Sequence, residues 1–260
     1  MKNVLAIAAL SLTAGAAQAS SITVTIENTA PAGDFSFTPF WLAVHDGSFD
    51  SYDGGAPAAD FPGITEIAEG GDTSVIMNRF ASENPNGVDL TLAEGNGAPV
   101  FSPGESASTT INVGDATTNR YFSYASMVVP TNDLFVANGN PFAHEVFDAA
   151  GNFTGPFEIL IFGRDVNDNG TEVNNALGGA AFSANGGTEA DEFLNVRNFF
   201  TVAGDQDYLD SFLNSNTADG GTITSAFTAD TLIARITVVP APATTGLLAA
   251  GALVGIRRRR

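Results

Sequence analysis

The sequence predicts an all-β protein, an antiparallel β-sandwich of about eight strands with long loops and one or two short helices. Three observations support this fold class. Short apolar or alternating segments recur along the chain, and turns rich in Gly, Asn, Asp and Pro separate them. Glycine and phenylalanine are abundant, at 28 and 20 residues, and cysteine is absent. Seven or more strands with turns between them are typical of a sandwich.

The predicted strands follow from hydrophobic periodicity. Residues 21–28 alternate, which places Ile22, Val24 and Ile26 on one face of a half-buried strand. Residues 143–147 and Phe153 are predicted to form a hairpin around the turn at 148–152. The remaining predicted strands share alternation or a short apolar run, and they cover residues 40–44, 74–80, 108–113, 121–129, 157–162 and 232–239.

Two segments predict short helices. Residues 64–71 are expected to form one or two helical turns. In residues 205–214, Tyr208, Phe212 and Leu213 would line one helix face, with Asp205 or Asp207 as the cap. The polar, Gly- and Pro-rich stretches at 46–63 and 84–104 are predicted to be long loops.

The N-terminal end is predicted to be a secretory signal peptide, residues 1–19. A basic start precedes an apolar run from Val4 to Ala17, and Ala17-Gln18-Ala19 gives an A-x-A cleavage pattern. The mature chain is therefore expected to begin near Ser20, with one sandwich domain spanning residues 20–239.

The C-terminal end, residues 240–260, has the pattern of a second targeting signal. Pro240 and Pro242 precede an apolar run from Gly246 to Ile256 and four terminal arginines. The run is short for a membrane span of roughly 20 residues, and the arginines would stay cytoplasmic. This order resembles the PEP-CTERM sorting signal of Gram-negative bacteria, although Val-Pro-Ala-Pro replaces Pro-Glu-Pro. A plain C-terminal anchor is the alternative.

The sorting-signal resemblance implies a location and a processing partner. An exosortase-type protease would cut the chain at this motif and leave a protein that is secreted or held at the cell surface of a Gram-negative bacterium. Membrane contact would then occur only through residues 240–260, before processing.

The charge of the predicted domain excludes some partners. Without the two ends, five arginines and no lysine remain against 29 acidic residues, a formal charge of 5 − 29 = −24. Such a chain does not bind nucleic acid or an anionic membrane by electrostatics, but it attracts divalent cations. The absence of cysteine excludes disulfides and thiolate chemistry.

The stretch DVNDNGTEVNN, residues 165–175, is either a solvated surface turn or a loop around a hard cation. Counted from Asp165, the oxygen donors and Gly170 fit the first half of an EF-hand loop, but position 12 is Ala176 rather than Glu. A strand rather than a helix is predicted to precede the stretch. The sequence therefore does not predict an EF-hand.

Several segments occur in a recognisable order. ASMVVPTNDLFVA at 125–137 ends a strand in a turn predicted to expose Asp133, and DNGTE follows at 168–172. Upstream lie His45-Asp46-Gly47-Ser48-Phe49 and Ala68-Glu69-Gly70-Gly71-Asp72. In this order they resemble the bacterial spondin N-terminal domain, the F-spondin-like family, and the resemblance runs from about Ile22 to Val239.

The resemblance implies an eight-stranded sandwich, similar to calcium-dependent membrane-binding sandwiches, with one calcium ion at its rim. Matched by position, the ligands would be Asp133, Asp168 and Glu172. Asn169 stands where the family has Ala, and the last ligand is Glu rather than Asp; neither change removes an oxygen donor. The family's animal members mediate adhesion in the extracellular matrix or on cell surfaces.

Elementary chemistry agrees with these ligands. Calcium prefers several hard oxygens, and Gly170 could bend the loop back between Asp168 and Glu172. Asp133 comes from another loop, so that an ion would join the two loops. The alternative is that the two loops are unrelated polar turns.

Other candidates carry weaker signals. His45 beside Asp46 could start a catalytic or metal site, but a single loop histidine is more often ordinary surface; His144 is predicted to be structural. Trp41 is expected in the core. No recognisable catalytic motif is present, although 29 acids offer many carboxylate pairs.

The function predicted from sequence is a non-enzymatic, exported calcium-binding surface or matrix protein. It would act in adhesion or in association with extracellular polymer, biofilm material, a surface protein or a carbohydrate. One alternative is a secreted carbohydrate-active hydrolase that uses a carboxylate pair. Another is a passive shell protein whose acidity serves solubility only.

Overall fold

A computed structural model of the chain describes residues 21–94, 100–217 and 220–242. The predicted signal peptide and residues 243–260 of the predicted sorting segment lie outside the described residues. The described strands are β1 Ser21–Asn28, β2 Ser36–Phe37, β3 Phe40–His45, β4 Val88–Leu92, β5 Ser106–Asn112, β6 Tyr121–Val129, β7 Leu134–Ala137, β8 Phe157–Phe162, β9 Asn167–Asp168, β10 Arg197–Asn198 and β11 Leu232–Pro240. The described α-helices are α1 Ile64–Gly70, α2 Ser74–Glu83 and α3 Asp205–Asp210.

Two antiparallel sheets form the sandwich, which confirms the predicted fold class. The first sheet has the order β5-β1-β11-β8. The second has the order β10-β9-β7-β6-β3-β4, with β2 paired to β6. Each of the described strand pairs is antiparallel.

The main core lies between the two sheets. In β1 the buried positions alternate, and Ile22, Val24 and Ile26 point inward as predicted. From the second sheet, Phe40 packs edge-on against Phe101 with ring centroids 5.6 Å apart. Successive strand side chains point to opposite faces, so this alternation assigns one face of β1 to the core.

A second apolar layer covers the outer face of the second sheet. All six residues of β3 are buried, because α1 and α2 pack over the face opposite the main core. Trp41 lies in this layer beside Phe49 and Phe80, and its indole N–H donates to Asp89 Oδ2 at 2.9 Å. The structure confirms that Trp41 is a core residue.

Two element predictions were wrong. Residues 74–80 form a helix, not a strand, and Ile76 and Phe80 are buried on one face, one helical turn apart. The predicted loop at 84–104 contains β4, which pairs with β3. The predicted hairpin is present in a short form: Phe147 and Phe153 form an antiparallel bridge, and the N–H of Asp148 donates to the carbonyl of Asn152 at 2.9 Å across the turn.

The described chain enters and leaves the sandwich at one pole. The N–H of Ala241 donates to the carbonyl of Ser21 at 3.0 Å, which places the two ends side by side. At the far end of β11, Leu232 pairs with Phe162, shortly before Asp168. Nine residues of strand separate the two poles by about 30 Å, since a strand rises about 3.3 Å per residue.

None of the helices within residues 21–94, 100–217 and 220–242 is long and apolar enough to span a membrane.

We expect Phe40→Ala to lower the free energy of unfolding by about 3–5 kcal/mol, because the buried ring leaves a cavity between the sheets. Leu160→Ala is the control, since Leu160 is 44% exposed on β8 and should change stability by less than about 1 kcal/mol. Urea denaturation measures both values. Equal losses would contradict the placement of the core between the sheets.

Candidate metal centre

The carboxylate of Asp133 clamps two loops together at the rim of the second sheet. Asp133 lies in the turn between β6 and β7 and is fully buried. Its Oδ2 accepts the backbone N–H groups of Thr171 and Glu172 at 2.8 and 3.1 Å. In return, the N–H of Asn169 donates to the carbonyl of Asp133 at 3.2 Å. The prediction that the turn exposes Asp133 was therefore wrong, because the 168–172 loop folds over it.

Gly170 makes this loop geometry possible. It has φ +71°, the left-handed region that favours glycine. A Cβ at this position would lie 2.9 Å from the carbonyl oxygen of Leu194. The tight bend brings Thr171 and Glu172 back to Asp133.

Asp168 is satisfied by protein groups. Its Oδ1 accepts the N–H of Gly170 at 2.8 Å, and its Oδ2 accepts from Asn174 Nδ2 and Arg197 Nη2, both at 2.6 Å. Arg197 also pairs with Asp205 of α3 at 3.0 Å. One guanidinium therefore serves two carboxylates, and Asp168 is the predicted ligand with the strongest competing partner.

Glu172 faces other acids. Burial, together with the smaller effects of the charges on Glu69, Glu189 and Asp191, raises the pKa of its carboxyl to about 7. Asp191 belongs to the strand-like segment that bridges to Glu172 across the rim. A cation would relieve this repulsion.

Asp133 has the same electrostatic problem. The pKa of its carboxyl is raised to about 7, mainly by burial and then by the charge of Asp168. The two backbone N–H donors oppose this rise. The coupled Asp168 carboxyl also has a raised pKa, from burial above all, although Arg197 lowers it.

The oxygen donors at the rim fit a hard cation. Of the six described buried side-chain oxygens that have no hydrogen-bond partner, three lie at this rim, namely Oδ1 of Asp133, Asn169 and Asn174. Buried polar atoms normally have partners, so an orphaned group of this kind needs an explanation. Carboxylate and amide oxygens are ligands that calcium prefers.

The structure brings the three predicted ligands to one rim, but not into one ready-made cluster. Within the described ranges, no group of three or more His, Cys, Asp or Glu side chains is arranged to hold a metal ion. The ion pair between Asp168 and Arg197 turns one of the three carboxylates toward the guanidinium.

Sequence reasoning missed the residues that support the rim. The Tyr208 hydroxyl of α3 donates to Asn132 Oδ1 at 2.8 Å and accepts the N–H of Asn132 at 2.9 Å. The N–H of Asn175 donates to the same oxygen at 3.0 Å. Arg197 had one available signal, since it is one of only five arginines in a strongly acidic domain.

The two histidines lie away from this rim. His45 ends β3 and is fully buried, so the expectation of an ordinary surface histidine was wrong. Its Nδ1 accepts the N–H of Gly47 at 3.0 Å, and its Nε2 contacts Ser123 Oγ at 2.8 Å. His144 stacks on Phe157, with ring centroids 6.4 Å apart.

Comparison with models of known protein families finds no match, and comparison with curated proteins finds none either.

With a chelator present, we expect Asp133→Asn to stabilise the protein at pH 8. The amide oxygen of the variant accepts the same two backbone hydrogen bonds, and the substitution removes the buried charge. The folded pKa of about 7 lies above the ordinary 3.8, so the wild type loses stability as pH rises from about 4 to 7. The advantage of the variant should therefore grow across this window and stay constant above it.

Thermal melts of both proteins at pH 5 and pH 8 measure this advantage. A variant that is less stable than the wild type at both values would contradict a buried, destabilising charge at Asp133.

Both imidazoles should stay neutral until about pH 4, because burial lowers the pKa of His45 and of His144 to about 4. Unfolded histidine titrates near 6.5, so the stability that they contribute is complete above 6.5 and is lost as pH falls to about 4. NMR titration of the two imidazole signals measures both values. A midpoint near 6.5 for His45 would show that its ring is solvated.

Proposed function

We propose that this chain is an exported, calcium-binding protein of the cell surface or extracellular matrix, and that it acts in adhesion or in association with extracellular polymer. The observation that carries the proposal is the set of orphaned oxygens of Asp133, Asn169 and Asn174, buried beside carboxylates whose pKa values are raised. These donors match the coordination that calcium prefers.

The ligands in this proposal are Asp133, Asp168 and Glu172, supplemented by the amide oxygens of Asn169 and Asn174. A bound calcium ion would supply the positive charge that this rim lacks. The chain's own contribution is positional: the Asp133 clamp fixes the bend at Gly170, and Arg197 holds Asp168 until a cation competes for it. Loss of the Arg197 contact would leave that arginine on Asp205.

The family resemblance and the localisation in this proposal rest on sequence segments. The spondin-type resemblance at 125–137 and 168–172 is supported by the sandwich fold and by the approach of these segments at one rim. Export and exosortase processing rest on residues 1–19 and 240–260 alone.

A calcium titration of the protein's thermal melt tests the proposal. We expect a saturable rise in stability, about 2.7 kcal/mol at 100 times Kd, because the ion binds the folded form. An extracellular site of this type has a Kd on the order of 10⁻⁴ to 10⁻³ M. Magnesium should not reproduce the rise, and Asp168→Asn and Glu172→Gln should abolish it.

Glu158→Gln is the matched control, because it removes one exposed charge on β8 without touching the rim. A rise that all variants share would reflect general screening of the acidic chain, and the site would then be refuted. The hydrolase alternative predicts that the same protein degrades polysaccharides, with or without chelator.

A further inference from the structure

We call residues 168–175 the cation loop and residues 186–195 the rim finger, which extends the rim beside the cation loop. Three backbone hydrogen bonds hold the rim finger against the cation loop. The N–H of Val173 donates to the carbonyl of Ala190 at 2.8 Å, the N–H of Glu192 to the carbonyl of Thr171 at 2.7 Å, and the N–H of Leu194 to the carbonyl of Gly170 at 2.9 Å. The finger is therefore a fixed extension of the candidate metal centre.

The rim finger presents an unusual pair of apolar side chains. Phe193 is 91% exposed and Leu194 is 53% exposed. Isolated exposed leucines are ordinary, but a phenylalanine ring this exposed is unusual, and aromatic side chains are enriched at protein interfaces. The pair lies at the pole opposite Ser21 and Ala241, so the described chain ends leave it uncovered.

The apolar pair is flanked by carboxylates that lack cationic partners. Glu189 and Asp191 of the finger and Glu69 of α1 lie around the proposed calcium ligand Glu172 at the base of the finger, where Asp191 and Glu172 form an antiparallel bridge. The described residues include no lysine, and their arginines form ion pairs with other acids: Arg79–Glu83, Arg120–Glu145, Arg164–Asp230, Arg197–Asp168, Arg197–Asp205 and Arg235–Glu27. Among the described residues, no arginine forms an ion pair with these carboxylates, and Arg197 is held by Asp168 and Asp205 although its charge also reaches Glu192 of the finger.

We propose that the rim finger and the carboxylates at its base dock a basic polypeptide segment in which an apolar side chain adjoins lysine or arginine. Charge complementarity selects the cations of the partner, and Phe193 with Leu194 selects its apolar group. The inference rests on the proposed surface role, because an exported domain is one that meets such a partner. It names the partner of the rim, whereas the calcium site stabilises the loops behind it.

The test uses the full-length chain in mild nonionic detergent and a fluorescein-labelled peptide of alternating lysine and leucine. Binding is measured by fluorescence anisotropy in the presence of EDTA. We expect Phe193→Ser/Leu194→Ser to weaken binding about tenfold or more, as loss of an anchor does. Glu189→Gln/Asp191→Asn should weaken it as well. A peptide of alternating lysine and serine should bind the wild type more weakly.

The matched control is Glu83→Gln/Glu158→Gln, which removes two partly exposed charges away from the finger. It should keep nearly the full affinity. The inference is overturned if this control loses as much affinity as the finger variants, because net charge alone would then explain binding. It is also overturned if the Phe193→Ser/Leu194→Ser variant binds like the wild type.

Alginate with calcium is the remaining arm. If the finger variants lose alginate binding while the lysine–leucine peptide never binds, the partner is an acidic polymer and the proposed basic partner is wrong. Because peptide binding is measured in EDTA, the peptide result is independent of the calcium melt. A failed melt with intact peptide binding refutes the metal site only, and the reverse refutes the docking surface only.

Discussion

One carboxylate oxygen of Asp133 accepts two backbone N–H groups, and the arrangement of the rim depends on this clamp. A buried carboxylate is costly unless donors satisfy it, so the loop after β9 must fold over the turn after β6. That fold requires the left-handed bend at Gly170, which places Glu172 against its acidic neighbours and the rim finger beside the cation loop. The other oxygen of Asp133 remains without a partner, which is why the clamp also suggests a cation.

Few positively charged side chains are available to pair with the many acidic ones, so a single arginine serves more than one carboxylate. Arg197 holds Asp168 of β9 and Asp205 of α3 at the same time, so one side chain ties the rim to a helix. Tyr208 of the same helix hydrogen-bonds Asn132, next to the clamp. Because its described arginines are committed in this way, the acidic rim has few counter-charges of its own, and this shortage motivates both the proposed calcium site and the proposed basic partner.

Much of the fold could be predicted because its strands have one environment along their length. The alternation in β1 and the apolar runs of β6 and β8 predict strands that the structure contains with little change in bounds. The error at 74–80 has a physical cause, since the apolar residues of a short window fit both a strand and a helix period. Packing of Ile76 and Phe80 against β3 decides in favour of the helix. The pairing of β4 with β3 is likewise a long-range contact. The polar sequence around β4 gives no local indication that this segment is a strand.

The sequence by itself determined the all-β class, the central strands, the charge of the domain and the oxygen-rich composition of residues 165–175, because these depend on local periodicity and residue type. Tertiary structure alone decided that Asp133 is buried, that Asp168 meets Arg197 and that Tyr208 supports Asn132. Each of these contacts joins residues from 29 to 76 positions apart or buries a polar group under a distant loop. Their free energy depends on the surroundings that folding creates, and no local pattern contains that information.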